Sequence, residues 1–182
     1  MRMPSAAAAF LVLGLLAAGA PARADWSQRT ILPSASLDNY STDALVRDSN
    51  GVINLIVRGS AYPYYVRFDG VTVTSEPVVL SATFGSGQFG ISMLGTVALD
   101  RDGNPAFAFS VGPYGSTVAL ARRFGVTWSS ETVVNEGTTN LGQSMRLAFD
   151  SQNQPRILYS RSSNCVLKYA SFDGVSWSTE TI

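Results

Sequence analysis

The chain has 182 residues, 46% of them apolar, and its 13 basic side chains balance its 13 acidic ones. Such an even charge, with no basic stripe, argues against a nucleic-acid partner. Histidine is absent from the sequence, which excludes Ser-His-Asp and Cys-His catalysis and histidine-rich metal sites.

Residues 1–24 have the pattern of a secretory signal peptide. Arg2 gives a short basic start, and 6–20 is an apolar run shorter than the ~20 residues of a typical transmembrane span. The segment ends in Ala22-Arg23-Ala24, which fits an A-x-A cleavage site. We therefore predict cleavage after Ala24, a mature domain of residues 25–182 with no membrane span, and a periplasmic or secreted bacterial protein.

Downstream of this segment, a unit of four short strands recurs at intervals of about 50 residues. Each copy contains four runs rich in β-branched and aromatic residues, separated by polar turns. The interval separates the aspartates of the first turn, which are Asp48, Asp100 and Asp150. It also separates equivalent positions of the fourth strand, which are Val73, Trp128 and Trp177. A four-stranded repeat of this length is typical of propeller blades.

The repeat predicts an all-β, β-propeller-like fold of three four-stranded antiparallel blades. The blades occupy about 41–79, 95–134 and 143–182, and one extra outer strand precedes them at 26–31. The first strand of each blade is apolar on both faces, so we expect neighbouring sheets to cover it on both sides. The fourth strand is more polar and suits an outer edge, with Trp177 expected in the core.

The number of blades limits how the ring can close. Closed propellers usually have about four to eight blades, so three cannot close alone. The extra strand at 26–31 also lacks the partner strands that a propeller normally brings from its C-terminus. We expect a ring that is incomplete in one chain, either because the chain is the N-terminal part of a longer propeller or because a homodimer closes a six-bladed ring.

Three motifs that suggest chemistry are better explained by the repeat. The segment 85–90 matches G-x-G-x-x-G but lies between strands of an all-β repeat, not in a βαβ unit. The segment 100–104 places oxygen ligands at alternate positions, yet position twelve is Val111 instead of the glutamate of a calcium loop, so we interpret it as a capped turn.

The third of these motifs is a set of glutamates that could suggest a glycosidase carboxylate pair. They share one column of the repeat and are therefore interpreted as structural; they are Glu76, Glu131 and Glu180. We predict no catalytic residue, no metal and no cofactor. Cys165 is the only cysteine, so no intrachain disulfide can form.

Residues found in only one copy are the better candidates for ligand contact. Tyr62 and Tyr64 belong to an aromatic cluster in the first copy that could stack on a sugar ring. Arg122 belongs to the only pair of adjacent charges within a predicted strand.

The last hairpin carries a resemblance to known families. It reads Ser171-Phe172-Asp173-Gly174-Val175-Ser176-Trp177 and resembles the Asp-box of sialidase-type propellers, S-x-D-x-G-x-T-W, with one residue fewer between Asp and Gly. It is also similar to the tryptophan-containing blades of bacterial propeller lectins. The resemblance implies a propeller fold and a structural turn remote from catalysis. The arginine trio, tyrosine and acid of a sialidase cannot be assigned.

Together these features predict an exported, non-catalytic binding or scaffolding protein, not an enzyme, whose partner is a saccharide or a protein surface. The alternative is the N-terminal fragment of a larger sialidase-like hydrolase whose catalytic residues lie outside this chain.

Overall fold

The computed structural model describes residues 11–12, 28–29, 45–58, 63–80, 93–112, 115–137, 141–161 and 166–182. The fold is all-β, and its main part is three four-stranded antiparallel sheets, as predicted. Of the extra outer strand predicted at 26–31, the structure describes only β2 (Gln28–Arg29), which pairs with β1 (Leu11–Val12) in a separate two-stranded sheet and not with a described blade strand, so its role as an outer blade strand stays a prediction. Within the described ranges, no helix is long and apolar enough to cross a membrane.

Each sheet is an antiparallel meander whose strands follow the chain order. Blade 1 contains β3 (Leu45–Arg47), β4 (Ile53–Arg58), β5 (Pro63–Phe68) and β6 (Val73–Pro77). Blade 2 contains β7 (Met93–Leu99), β8 (Pro105–Val111), β9 (Thr117–Phe124) and β10 (Thr127–Asn135). Blade 3 contains β11 (Leu141–Phe149), β12 (Pro155–Arg161), β13 (Val166–Phe172) and β14 (Trp177–Thr181).

Two strands begin earlier than their apolar pattern predicts. The pattern places the start of β7 at 96 and that of β11 at 145, but they begin at 93 and 141. The register shifts between Leu94 and Val97 in β7, and between Leu141 and Met145 in β11. Such irregularities interrupt the alternation of side chains, so the strand extends past the point where the pattern ends.

Blade 2 is the centre of the packing, and all seven residues of β8 are buried. One apolar cluster joins blade 2 to blade 1 through Tyr65, Phe107 and Trp128, among others. Another joins blade 2 to blade 3 through Leu120, Met145 and related residues. We call these contacts the first interface and the second interface. The described strands form no closed ring, and closure by a homodimer stays a prediction.

The flanking blades depart from one expectation. We expected both faces of every first strand to be covered, and this is wrong for Leu45 of β3 and Ala148 of β11, which are both exposed. Each lies on the face turned away from blade 2. Strand β12 shows the same effect, because its residues alternate between buried and half-buried.

The first turn of every blade is closed by its aspartate. In each turn Oδ1 accepts hydrogen bonds from the backbone N–H groups two and four residues later, at 2.8–2.9 Å. The three aspartates are Asp48, Asp100 and Asp150. The structure thereby confirms the interpretation of these segments as capped turns. The turns of blades 2 and 3 also meet, because the Arg101 N–H donates to Asn153 Oδ1 at 2.7 Å.

The hairpins between the third and fourth strands follow a second rule. Asp69 and Asp173 accept hydrogen bonds from the backbone N–H groups two and three residues later, at 2.6–2.8 Å. Each is followed by a glycine of positive φ, Gly70 at 97° and Gly174 at 102°, a conformation that disfavours side chains. In blade 2 the corresponding residue is Phe124, whose ring cannot accept these bonds and is 57% exposed.

Tryptophan burial differs between blades, and stability measurements should show it. Trp128 is only 6% exposed and packs against Tyr65 and Phe107 at ring distances of 5.6 Å. Trp177 packs against the second cluster but is half-buried, so it is less of a core residue than we expected. Trp128→Ala should reduce the free energy of unfolding by about 3–5 kcal/mol. Trp177→Ala should cost less, as measured by urea unfolding; equal costs for both variants would contradict this ranking.

Acid should weaken the third blade through Asp150. Backbone N–H groups, chiefly that of Gln154, and the Arg156 guanidinium lower the pKa of Asp150 from its ordinary value of 3.8. A carboxyl whose pKa is lower in the folded state stabilises the fold above its ordinary pKa, and that stabilisation is lost as the pH falls through the folded-state value. The melting temperature of Asp150→Asn should therefore fall less than that of the wild type between about pH 5 and pH 2. Parallel curves would show that Asp150 does not contribute.

Candidate functional site

The strand registers show which residues correspond at the two blade interfaces. Arg123 lies opposite Trp128 in blade 2, and Phe172 lies opposite Trp177 in blade 3. Arg123 is therefore the counterpart of Phe172. Facing them across each interface, Tyr65 pairs with Glu76 in blade 1, and Leu120 pairs with Glu131 in blade 2.

The first interface is closed by a polar clamp between blades 1 and 2. Glu76 of β6 receives the guanidinium of Arg123, with Nε 2.8 Å from Oε1 and Nη2 donating to Oε2 at 3.1 Å. The Trp128 indole N–H donates to Oε1 of the same carboxylate at 3.1 Å. Tyr65 completes the contact, with the Arg123 guanidinium 5.8 Å from its ring centre. Glu76 thus receives two hydrogen bonds and an ion pair from blade 2 across the interface.

The second interface has the same architecture but contains an open cleft of about 270 Å³. Blade 2 supplies most of its walls from β9, β10 and their hairpin, and blade 3 supplies one aromatic ring from the end of β13. The lining residues are Leu120, Arg122, Phe124, Ser129, Ser130, Glu131 and Phe172.

Arg122 is the main polar group of the cleft. Its guanidinium carbon lies 5.9 Å from the ring centres of both Phe149 and Phe172, within the range of cation–π contacts. Burial lowers the pKa of Arg122 below its ordinary value, although Glu131 acts in the opposite direction. The Nε and Nη2 atoms are buried and make no hydrogen bond to any residue that the structure describes. This edge of the guanidinium is the one that binds two acceptors at once.

Glu131 and Trp177 lack the clamp that their counterparts have. The cation Arg123 is replaced by Phe172, so no guanidinium of blade 3 reaches Glu131 from this position. Glu131 instead lies 3.5 Å from Nη2 of Arg122 in its own blade. The Trp177 indole N–H is buried and has no acceptor within the described part of the chain. The second interface thus keeps the carboxylate and the indole of the first but lacks the guanidinium between them, and the indole N–H makes no hydrogen bond to a described residue.

The far end of the second interface is held by charge. Glu136, which follows β10, forms ion pairs with Lys168 and Arg161 of blade 3, the latter at 3.4 Å. Tyr159 is fully buried beside them, and burial, aided by the charge of Glu136, raises the pKa of Tyr159 to about 12. Tyr159 is therefore a neutral phenol at physiological pH. This cluster fixes blade 3 to blade 2 at the end away from Phe124.

The structure separates Tyr64 from Arg122, two of the three residues predicted to contact a ligand. Arg122 lies in the cleft. Tyr64 is half-buried on β5 and packs against Leu55 and Val57 on a face of blade 1 turned away from blade 2, so the structure does not bring it to Arg122. Tyr62 lies outside the described residues, as do Cys165 and the segment 85–90.

Several residues of the cleft were not predicted from the sequence to contact a ligand. The glutamate column was interpreted as structural, which fits the clamp at Glu76, but Glu131 lines the cleft. Phe124 and Phe172 were not considered as candidates. A signal existed for Phe124, because it replaces the turn aspartate in only one of the three hairpins.

The sequence matches no protein-family model and no curated protein. Solved structures share its fold at low identity. A protein of unknown function from Dyadobacter fermentans has a TM-score of 0.52 at 13% identity over 76% of this chain. An exo-β-1,3-galactanase from Phanerochaete chrysosporium, solved with galactose, has a TM-score of 0.50 at 12% identity, also over 76%. A fucose lectin from Kordia zhangzhouensis, solved with methyl-fucoside, has a TM-score of 0.46 at 14% identity over 75%.

The shares of the neighbouring chains that are covered differ widely. The match spans 96% of the lectin chain, but only 40% of the Dyadobacter protein and 38% of the galactanase. At these identities the two matches with TM-scores of 0.50 and 0.52 support a common fold and nothing finer.

Removing the carboxylate of Glu136 should loosen the second interface. Glu136→Gln leaves the half-buried Lys168 without its counter-charge, so we expect a loss of about 1–3 kcal/mol in the free energy of unfolding. Glu180→Gln is the matched control, because Glu180 is exposed on the outer strand β14. Urea unfolding at neutral pH compares the two; a Glu136 variant as stable as the control would show that the ion pairs do not hold the blades.

Proposed function

We propose that this protein is an exported, non-catalytic saccharide-binding protein that holds a neutral sugar unit in the cleft between blades 2 and 3. The observation that carries the proposal is the buried Nε and Nη2 edge of Arg122 in a cleft with aromatic walls, an edge that makes no hydrogen bond to a described residue and has only the 3.5 Å ion pair of Nη2 with Glu131. Buried donors without partners cost free energy, so a site that keeps them favours a ligand that supplies acceptors.

The cleft combines the groups that a sugar ring needs. Two adjacent hydroxyl oxygens of a sugar, or the ring oxygen and a hydroxyl oxygen beside it, would accept from Nε and Nη2 of Arg122, and Glu131 would accept from a hydroxyl group. The rings of Phe124 and Phe172 offer apolar surface to the C–H face of the sugar. A volume of about 270 Å³ is at the lower end of ligand pockets and suits a single sugar unit.

Charge favours a neutral ligand. Arg122 and Glu131 lie 3.5 Å apart and their charges largely cancel, so a carboxylate or sulfate on the ligand would gain little from Arg122 and would be repelled by Glu131.

The proposal includes export through the signal peptide at 1–24. It also includes a relationship to propeller repeat proteins with a degenerate Asp-box, which the capped turns at Asp69 and Asp173 support.

The decisive experiment is a calorimetric titration of the purified protein. The probes are the methyl glycosides of common neutral hexoses, deoxyhexoses, pentoses and N-acetylhexosamines. We expect one or more to bind saturably, and Arg122→Lys to weaken binding about tenfold or more, because lysine keeps the charge but loses the two-donor edge. Arg146→Lys, an exposed position on β11, is the matched control and should bind as the wild type does.

Two outcomes would overturn the proposal. One is a folded wild-type protein that binds none of these glycosides at millimolar concentration. The other is binding that Arg122→Lys leaves unchanged. In the second case Tyr64→Phe distinguishes the other described candidate, because loss of binding in that variant would move the site to blade 1.

A further inference from the structure

The first interface repeats three polar positions of the second, with Asp69 of blade 1 at the position that Phe124 has in the cleft. Arg67 lies opposite Thr74 in blade 1, as Arg122 lies opposite Ser129 in blade 2. Glu76 is the counterpart of Glu131, and Trp128 that of Trp177. Arg67 is exposed, and no salt bridge engages it within the described residues. An arginine, a glutamate and a tryptophan therefore occupy equivalent positions at both interfaces.

One exchange separates the closed interface from the open one at its polar centre. Blade 2 places Arg123 where blade 3 places Phe172, and Arg123 occupies both oxygens of Glu76. With Glu76 occupied, Arg67 has no carboxylate to approach in the way that Arg122 approaches Glu131. The guanidinium thus makes, from within the protein, the hydrogen bonds that a ligand's hydroxyl groups would make at the second interface.

We infer that the first interface is a second saccharide site, which Arg123 closes and whose polar groups are equivalent to those of the second interface. This inference rests on the proposed function. The wild-type chain of three blades then binds one neutral sugar. The stoichiometry is one because Arg123 closes the other site. The site takes the same class of ligand as the cleft, since its donors and acceptor are of the same kind. Tyr65, larger than its counterpart Leu120, narrows it on the blade 1 side.

The test reads each site separately through its tryptophan. The chain has three tryptophans, and Trp128 and Trp177 belong to different interfaces. Their indole N–H signals in ¹H–¹⁵N spectra, assigned by single Trp→Phe variants, are followed during titration with the tightest-binding methyl glycoside of the panel. In the wild type we expect a shift at Trp177 only, with a stoichiometry of one.

Arg123→Phe gives the first interface the phenylalanine that the second interface has at the equivalent position, Phe172. We expect the stoichiometry to rise from one to two and the Trp128 signal to shift on titration, with Trp177 behaving as in the wild type. Arg146→Phe is the control for an added phenylalanine on an exposed strand and should keep a stoichiometry of one. If Arg123→Phe folds but keeps a stoichiometry of one and an unmoved Trp128 signal, the inference is wrong.

The reverse exchange keeps the inference testable even if Arg123→Phe fails to fold. Phe172→Arg should place a guanidinium beside Glu131, abolish binding at Trp177 and raise the melting temperature. Phe172→Leu, which only removes the ring, should weaken binding but lower the melting temperature. The inference that Arg123 closes the first interface is wrong if Phe172→Arg binds as the wild type does. It is also wrong if Phe172→Arg is no more stable than Phe172→Leu. A wild-type protein that binds no glycoside refutes the proposed function instead.

Discussion

Blade packing depends on one constraint: a sheet that is apolar on both faces must be covered on both faces. The central strand β8 carries phenylalanine on one face and alanine on the other, and every residue in it is buried. Phe107 and Phe109 pack towards blade 1, whereas Ala106 and Ala108 pack towards blade 3. The sheet of blade 2 could not remain in water without its neighbours, so the interfaces are the core of the protein.

Side chains at the outer end of each interface then decide whether it is sealed. At equivalent positions, the carboxylate on one side of blade 2 is bound by a guanidinium and an indole of the neighbouring sheet, and on the other side the indole N–H has no acceptor among the described residues. Because the scaffold is shared, this difference is a property of a few residues and not of the fold. Repeat proteins can in this way carry a structural contact and a binding site at equivalent positions.

Most of the fold could be predicted because the repeat averages out local ambiguity. The strand positions and the aspartate of the first turn recur in all three blades at the same interval, so each copy supports the others. The cleft could not be predicted in the same way. A glutamate in every copy gives no sign that Glu76 is paired across an interface while Glu131 is not, because that depends on Arg123 and Phe172 in another strand. Likewise, no pattern in the chain shows that Tyr64 lies on the face of blade 1 turned away from blade 2 while Arg122 lies at the second interface.

Phe124 links the chemistry of a turn to the behaviour of the cleft. In the other two blades an aspartate carboxylate accepts hydrogen bonds from the backbone of this hairpin. In blade 2 the same position is Phe124, whose ring lines the cleft. That hairpin is therefore held by strand pairing alone, and its tip has more conformational freedom to lose. If the cleft binds a ligand as proposed, a ligand in contact with Phe124 would order the hairpin as it binds, so the conformational entropy of the free hairpin would oppose the binding affinity.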